Sequence, residues 1–170
     1  FYAEDHFRLN ENAILDLGFR QVLFFNDNKV RAGFEPRLHA TFFLENRDAF
    51  KIGFNRHNQY VSQLNLGTIG NPANIWVPAT QNIKPQILDI IEGAYERKIG
   101  KEFAGSINGY FKRLQNLNLV NNLGDASDPG IDWQSSVTLG TGKVFGAEVM
   151  LQRTMGKFNG WMSYTYSKST

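Results

Sequence analysis

Apolar and polar side chains alternate along most of this chain, a period of two that marks strands rather than helices. The pattern is cleanest over residues 140–170, where two alternating runs flank a Met155-Gly156-Lys157 turn. Read as a hairpin, this stretch predicts a register with Arg153 opposite Phe158. Leu151 then faces Gly160, Val149 faces Met162, Ala147 faces Tyr164, and Phe145 faces Tyr166. The other side pairs Gln152 with Asn159, Glu148 with Ser163 and Gly146 with Thr165, with Met150 and Trp161 as apolar exceptions. A slip of one residue would exchange the two faces, so their parity is strongly specified.

The same alternation upstream predicts strands at 2–9, 13–25, 34–44, 49–61, 87–97 and 103–114. Ala13, Leu15, Leu17, Phe19 and Leu23 share one side of the second strand, and Asp16, Gly18 and Arg20 the other. Phe50, Ile52 and Phe54 oppose Lys51, Gly53 and Asn55; Phe103, Ile107 and Phe111 oppose Ser106, Asn108 and Lys112. The alternation blurs at 87–97, where Ile87-Leu88 and Ile90-Ile91 would also suit a short helix. Turn signals are short near Asn10, Asn46, Gly100 and Gly156, and 26–32 reads as an intermediate connection. Two long segments interrupt the strands. Residues 62–85 contain Pro72, Pro78 and Pro85 and are expected to lack strand interiors. Residues 116–136 contain Gly124-Asp125 and Asp128-Pro129-Gly130.

Counted this way the chain has about eight strands. Several exceed the roughly 5–6 residues of a globular strand and match the ~9–11 needed to cross a bilayer. Short turns at one end and long loops at the other are the asymmetry of an outer-membrane barrel. Tyr164 and Tyr166, with Phe145, are therefore the candidate lipid-facing girdle.

Composition narrows the picture only a little. At 170 residues the chain is long enough for one domain. A net charge of +2 provides no strong field toward nucleic acid. Cysteine is absent, so there is neither a disulfide framework nor a thiolate metal site. Mean hydropathy is −0.36 and no apolar run is long enough for a transmembrane helix. Barrel strands, which show only alternate residues to lipid, pass under that test. The opening residues, FYAEDHF, carry neither a signal-peptide nor a lipidation pattern, and the expectation is an internal fragment of a longer chain.

No constellation points to catalysis. His39 and His57 invite a metal reading, because a register with Leu44 opposite Phe50 makes them diagonal neighbours about 7–8 Å apart. They have no evident third ligand, and Arg37 beside them would repel a cation. They read as polar wall residues. Asp125, Asp128 and Asp132 lack the full oxygen-ligand pattern of a calcium loop. No cofactor is expected. Tyr60, Trp76, Asp125 and Trp133 are the candidate ligand-proximal groups, on the long-loop side.

With these residues in view, the chain resembles the C-terminal half of the barrel of TonB-dependent outer-membrane receptors of the Bacteroidetes type. Residues 5–9 followed by Leu15-Asp16-Leu17-Gly18-Phe19-Arg20 are similar to the family's strand, turn and strand ending in a GxR step. Phe34-Glu35-Pro36-Arg37, Phe54-Asn55-Arg56 through Gln59, Ile75-Trp76-Val77-Pro78-Ala79, Lys84-Pro85-Gln86 and Gly109-Tyr110-Phe111-Lys112 follow in the family's order, and 140–169 completes the likeness. Phe111 stands where the family often has a second Tyr, and Gly93-Ala94-Tyr95-Glu96 carries an extra residue in a GYE-like step.

The resemblance implies an all-β, antiparallel, up-and-down transmembrane barrel of about 22 strands, of which residues 1–170 form a part without the plug domain. It further implies the outer membrane of a Gram-negative bacterium and energised uptake of a siderophore, glycan, peptide or cobalamin. The implied partners are outer-membrane lipid, TonB-ExbB-ExbD acting through the plug domain, and a surface lipoprotein, with no nucleic acid. Two rival readings are a self-contained eight-stranded outer-membrane barrel (adhesin, porin-like or enzyme) and a soluble all-β binding domain. Pairing of the first strand with the last would favour the self-contained barrel.

Overall fold

The computed structural model describes residues 1–26, 28–45, 48–65, 74–120 and 133–170. Ten strands account for most of them: β1 (Tyr2–Asn10), β2 (Ala13–Asn26), β3 (Lys29–Phe43), β4 (Ala49–Gln59), β5 (Val61–Asn65), β6 (Asn74–Pro78), β7 (Gln86–Ile99), β8 (Phe103–Val120), β9 (Val137–Arg153) and β10 (Gly160–Ser169). Eight of these form one antiparallel sheet in the order β1-β2-β3-β4-β7-β8-β9-β10, and β5 and β6 form a separate hairpin. Every neighbour in the large sheet is antiparallel, and the sheet is open: β1 and β10 are its two edges.

One rung crosses seven strands through Leu17, Leu38, Phe54, Ile91, Phe111, Phe145 and Lys168. Directly opposed residues in a sheet share a face. The rung below the centre of the sheet therefore puts Phe50, Tyr95, Ile107, Val149 and Tyr164 on the same side. That side carries most of the large apolar residues of the sheet, many of them exposed. The opposite side carries Glu4, Asp16, His39, Lys51, Glu92, Asn108 and Glu148.

A compact monomer of this mass would expose about 8,500 Å², whereas this chain exposes 12117 Å². The difference follows from the single layer, since among the described residues no second element packs on the large apolar face. Buried apolar side chains are concentrated instead at one rim, where Leu64, Val77, Ala79 and Ile83 lie in and just after the β5–β6 hairpin.

The structure corrects several sequence expectations. Residues 26–32 are not an intermediate loop, because Asn26 pairs with Lys29 and the two long strands run almost to their tip, next to Asn28 at φ 57°. The 62–85 stretch contains β5 and β6, which pair from Val61↔Pro78 to Asn65↔Asn74, so Pro78 ends a strand rather than breaking one. The loop expected at 116–136 is shorter, because β8 continues to Val120 and a 3-10 turn, Trp133–Ser136, leads into β9. The strand expected at 87–97, where a short helix was the alternative, is present within β7.

The closing hairpin has the expected parity but a different register. Gly160 pairs with Arg153, Met162 with Leu151, Tyr164 with Val149, Tyr166 with Ala147 and Lys168 with Phe145. The slip is two residues, which preserves every face. Its physical source is the turn: the strands stop at Arg153 and Gly160, leaving a wider connection in which Gly156 sits at φ 105°. Phe145, Tyr164 and Tyr166 remain on the apolar face, while Met150 and Trp161 lie on the polar one, as expected. The β3–β4 hairpin shows the same two-residue slip, with Arg37 opposite Asn55 and His39 opposite Gly53.

Candidate functional site

The polar face is hollowed into an open trough of about 790 Å³, lined among others by Glu4, Asp16, His39, Lys51, Glu92, Asn108, Tyr110, Lys112 and Glu148. Alternation explains why these residues converge: Asp16, His39, Lys51 and Glu148, for example, each lie between two apolar neighbours on their own strand. Two of the charged groups have ion-pair partners just outside the lining. The Lys51 ammonium donates to Glu96 at 2.6 Å, and His6 contacts Asp16. Asn55 links His39, at 2.9 Å, to Glu92, at 3.5 Å. Lys112 lies 4.6 Å from the Tyr110 ring centroid. Gly146 provides the floor beneath that ring, since a Cβ there would press within 2.6 Å of it. This is a mixed-charge surface, suited to polar contacts.

The two-residue register slip also changes the histidine geometry. His57 lies four positions along β4 from Gly53, the residue opposite His39, which is about 13 Å. They are therefore not diagonal neighbours, although both line a smaller hollow with Arg37 and Asn55. No three His, Asp or Glu side chains among the described residues converge as a metal site.

Above the trough lies a group that the sequence reading passed over. Glu35 is 0% exposed. Its Oε2 accepts from Arg20 Nε at 2.8 Å and sits 2.7 Å from the second guanidinium nitrogen, and its Oε1 accepts from the Asn58 backbone N–H at 3.1 Å. The neighbouring proline explains the arrangement. The β3–β4 ladder ends at Arg37↔Asn55, one residue short of Pro36, which has no amide hydrogen with which to continue it. Past that break the Glu35 carboxylate takes a β4 amide that would otherwise lack a ladder partner. The Glu-Pro pair inside a strand pattern was the available signal.

The candidate ligand-proximal residues fall at the long-loop rim, with different surroundings. Tyr60, just past β4, stacks on Phe24 with centroids 5.1 Å apart, and its hydroxyl lies over Gly33. Trp76 projects from β6 and is 68% exposed. Trp133 opens the 3-10 turn and is half-buried. Asp125, and the Asp125-Asp128-Asp132 loop with it, lies outside the described residues. Tyr60 and Trp133 are tied to one segment: Ala79 N–H donates to Tyr60 O at 2.7 Å, and Thr80 donates to Gln134, next to Trp133, at 2.6 Å.

Burial raises the Tyr60 phenol above its ordinary value, the Glu35 carboxylate adds to the rise, and Arg20 opposes it. A raised folded-state value stabilises the fold below the unfolded value of about 10, and that contribution disappears as pH rises through the folded one. Phenolate absorbance near 295 nm is therefore expected to include a component titrating above the ordinary tyrosine value, and Tyr60→Phe should diminish it. If Tyr60→Phe removes an ordinary or early component instead, the burial at this position is wrong.

Comparison of the chain with protein-family models, with curated proteins and with solved structures finds no match.

Proposed function

We propose that this chain is a segment of the barrel wall of a TonB-dependent outer-membrane receptor, which takes up a scarce ligand using the proton-motive force. The observation that carries the membrane part is the slant of the apolar belt. On β2 the apolar series from Ala13 to Phe25, interrupted at Gln21, is centred on Phe19, two residues toward the long-loop rim from the rung at Leu17. On β10 the series from Met162 to Tyr166 is centred on Tyr164, four residues the other way from the rung at Lys168. Six residues of drift over the six strand steps between them is about one residue per step, a tilt of about 35° at the usual strand spacings. Membrane barrels tilt their strands by roughly 35–45°.

The belt's height agrees with this. Along β7 it is bounded by Asp89, held by Arg56 at 2.6 and 2.9 Å, and by Arg97, 3.8 Å from Asp48. Those limits are eight residues apart, about 26 Å along the strand. At that tilt the belt is about 22 Å tall, near the roughly 25 Å of an outer-membrane barrel. The open edges favour closure within a larger barrel over an eight-stranded one, because β1 pairs with β2 alone and β10 with β9 alone. On this reading the polar trough faces the lumen, and the rim holding Tyr60, Trp76 and Trp133 faces outward. Outer-membrane lipid covers the apolar belt. The energising complex TonB-ExbB-ExbD acts through a plug domain, and a surface lipoprotein is a further partner. The receptor part rests on the motif order described under Sequence analysis.

A chain without cysteine suits single-cysteine labelling. In outer membranes, Asn108→Cys and Ser163→Cys are expected to react with a water-soluble maleimide. Val149→Cys and Ile91→Cys should not react, and a fluorophore placed there during refolding should be quenched by brominated lipid. Equal maleimide labelling of both faces would reject the membrane reading. Uptake of the growth-supporting ligand by cells carrying the intact receptor should cease when a protonophore collapses the proton-motive force; persistence would reject energised transport and leave the barrel standing.

A further inference from the structure

We propose that a cleft at the long-loop rim is a binding subsite for a small hydroxyl-rich carboxylate, the size and chemistry of one acidic sugar. The cleft, of about 210 Å³, lies between the β2–β3 tip, the segment after β6 and the 3-10 turn before β9. At about 30 Å³ per water it holds roughly seven waters, the space of one six-membered sugar ring.

Its lining is selective in kind. Lys29 and Arg31 contribute two cations, and no carboxylate is among the described residues that line it. Asn26, Gln81, Asn82 and Gln134 contribute amides, which both donate and accept and so suit hydroxyl groups. Phe24 forms an apolar wall, stiffened by the Tyr60 ring stacked on it. A bare inorganic anion would leave the apolar wall and most of the amide oxygens unused, and a neutral sugar would leave the cations unused. An acidic sugar uses all three.

The walls are held in place by hydrogen bonds. Asn26 donates to Ala79 O at 3.1 Å, and Thr80 donates to Gln134 at 2.6 Å. The Arg31 guanidinium donates to Thr80 O, and with five N–H donors it has capacity beyond that contact. This geometry aims a fixed cation across the cleft and lowers the cost of ordering on binding. The subsite stands on the cleft alone and would hold in a soluble sheet as well as in a barrel wall, so it survives if the membrane reading fails.

The test is calorimetric titration of the purified full chain in detergent with D-glucuronate, D-glucose and inorganic phosphate as separate probes. Glucuronate is expected to bind saturably in the roughly millimolar range, at least about tenfold tighter than either glucose or phosphate. Lys29→Gln and Arg31→Gln should each weaken glucuronate binding by about tenfold. Circular dichroism checks the fold of Arg31→Gln, and Lys29, an exposed side chain at the start of β3, provides a second variant. Glucose binding as tightly as glucuronate, phosphate binding as tightly, no saturation by glucuronate, or binding unchanged in both variants would each overturn the proposal.

Discussion

Ile107→Lys is expected to abolish stable insertion of this chain into lipid, while Asn108→Lys, one residue away, leaves insertion nearly unchanged. Ile107 is 56% exposed and lies near the middle of the belt, on the rung shared by Phe50, Tyr95, Val149 and Tyr164. In lipid, a lysine at that depth costs about 2–4 kcal/mol. In a water-exposed sheet, the same replacement of a half-exposed isoleucine stays within about 0.5 kcal/mol. The two environments therefore predict different outcomes for one substitution. Asn108 points to the opposite face, where Lys51 and Lys112 already reside, and controls for general effects of added charge. Folding into phospholipid vesicles, followed by resistance to protease and by denaturant titration, reads both variants. If Ile107→Lys and Asn108→Lys fold alike, the belt is not a lipid face.

The second large effect is expected at Glu35. Glu35→Leu should lower stability by about 2–3 kcal/mol, because it strands the Asn58 amide and one side of the Arg20 guanidinium. Arg20 is partly exposed, so water recovers some of its loss and the cost falls below that of a fully buried pair. The defect should be local. Hydrogen exchange at Asn58 is expected to accelerate more than exchange on the β7–β8 ladder. The double variant Arg20→Leu with Glu35→Leu should recover part of the loss, since no unpaired charge remains. A Glu35→Leu protein as stable as the parent, with Asn58 exchange unchanged, would show that the carboxylate does not bridge the break in the β3–β4 ladder.

The faces of the sheet were legible without coordinates. Alternation assigned Leu17, Phe54, Ile107, Phe111 and Val149 to one side and Asp16, Asn55, Asn108 and Glu148 to the other, and the pairings agree at every one of these positions. The reason is that parity is a local property: each side chain points opposite to its neighbours whatever strand lies alongside. Registers were less legible. The β3–β4 and β9–β10 hairpins both lie two residues from the register their alternation suggests, a shift that costs nothing in burial because it returns every residue to its own face. What selects between such registers is the turn, and the 154–159 connection is wider than its Met155-Gly156-Lys157 core suggests.

The rim was least legible of all. Tyr60, Trp76 and Trp133 could be placed on the long-loop side by counting, but the cleft beside them draws on Phe24, Arg31, Thr80 and Gln134, from three distant segments. Glu35 behaves in the same way, since its partners Arg20 and Asn58 lie on different strands. Alternation along the chain determined which residues share a face, and hence the two-sided character of the sheet. Tertiary structure decided how far each strand slides against the next, the slant of the belt that results, and which polar groups from separate strands meet. Sliding and meeting depend on interactions between segments distant in sequence, and a period-two pattern carries no record of them.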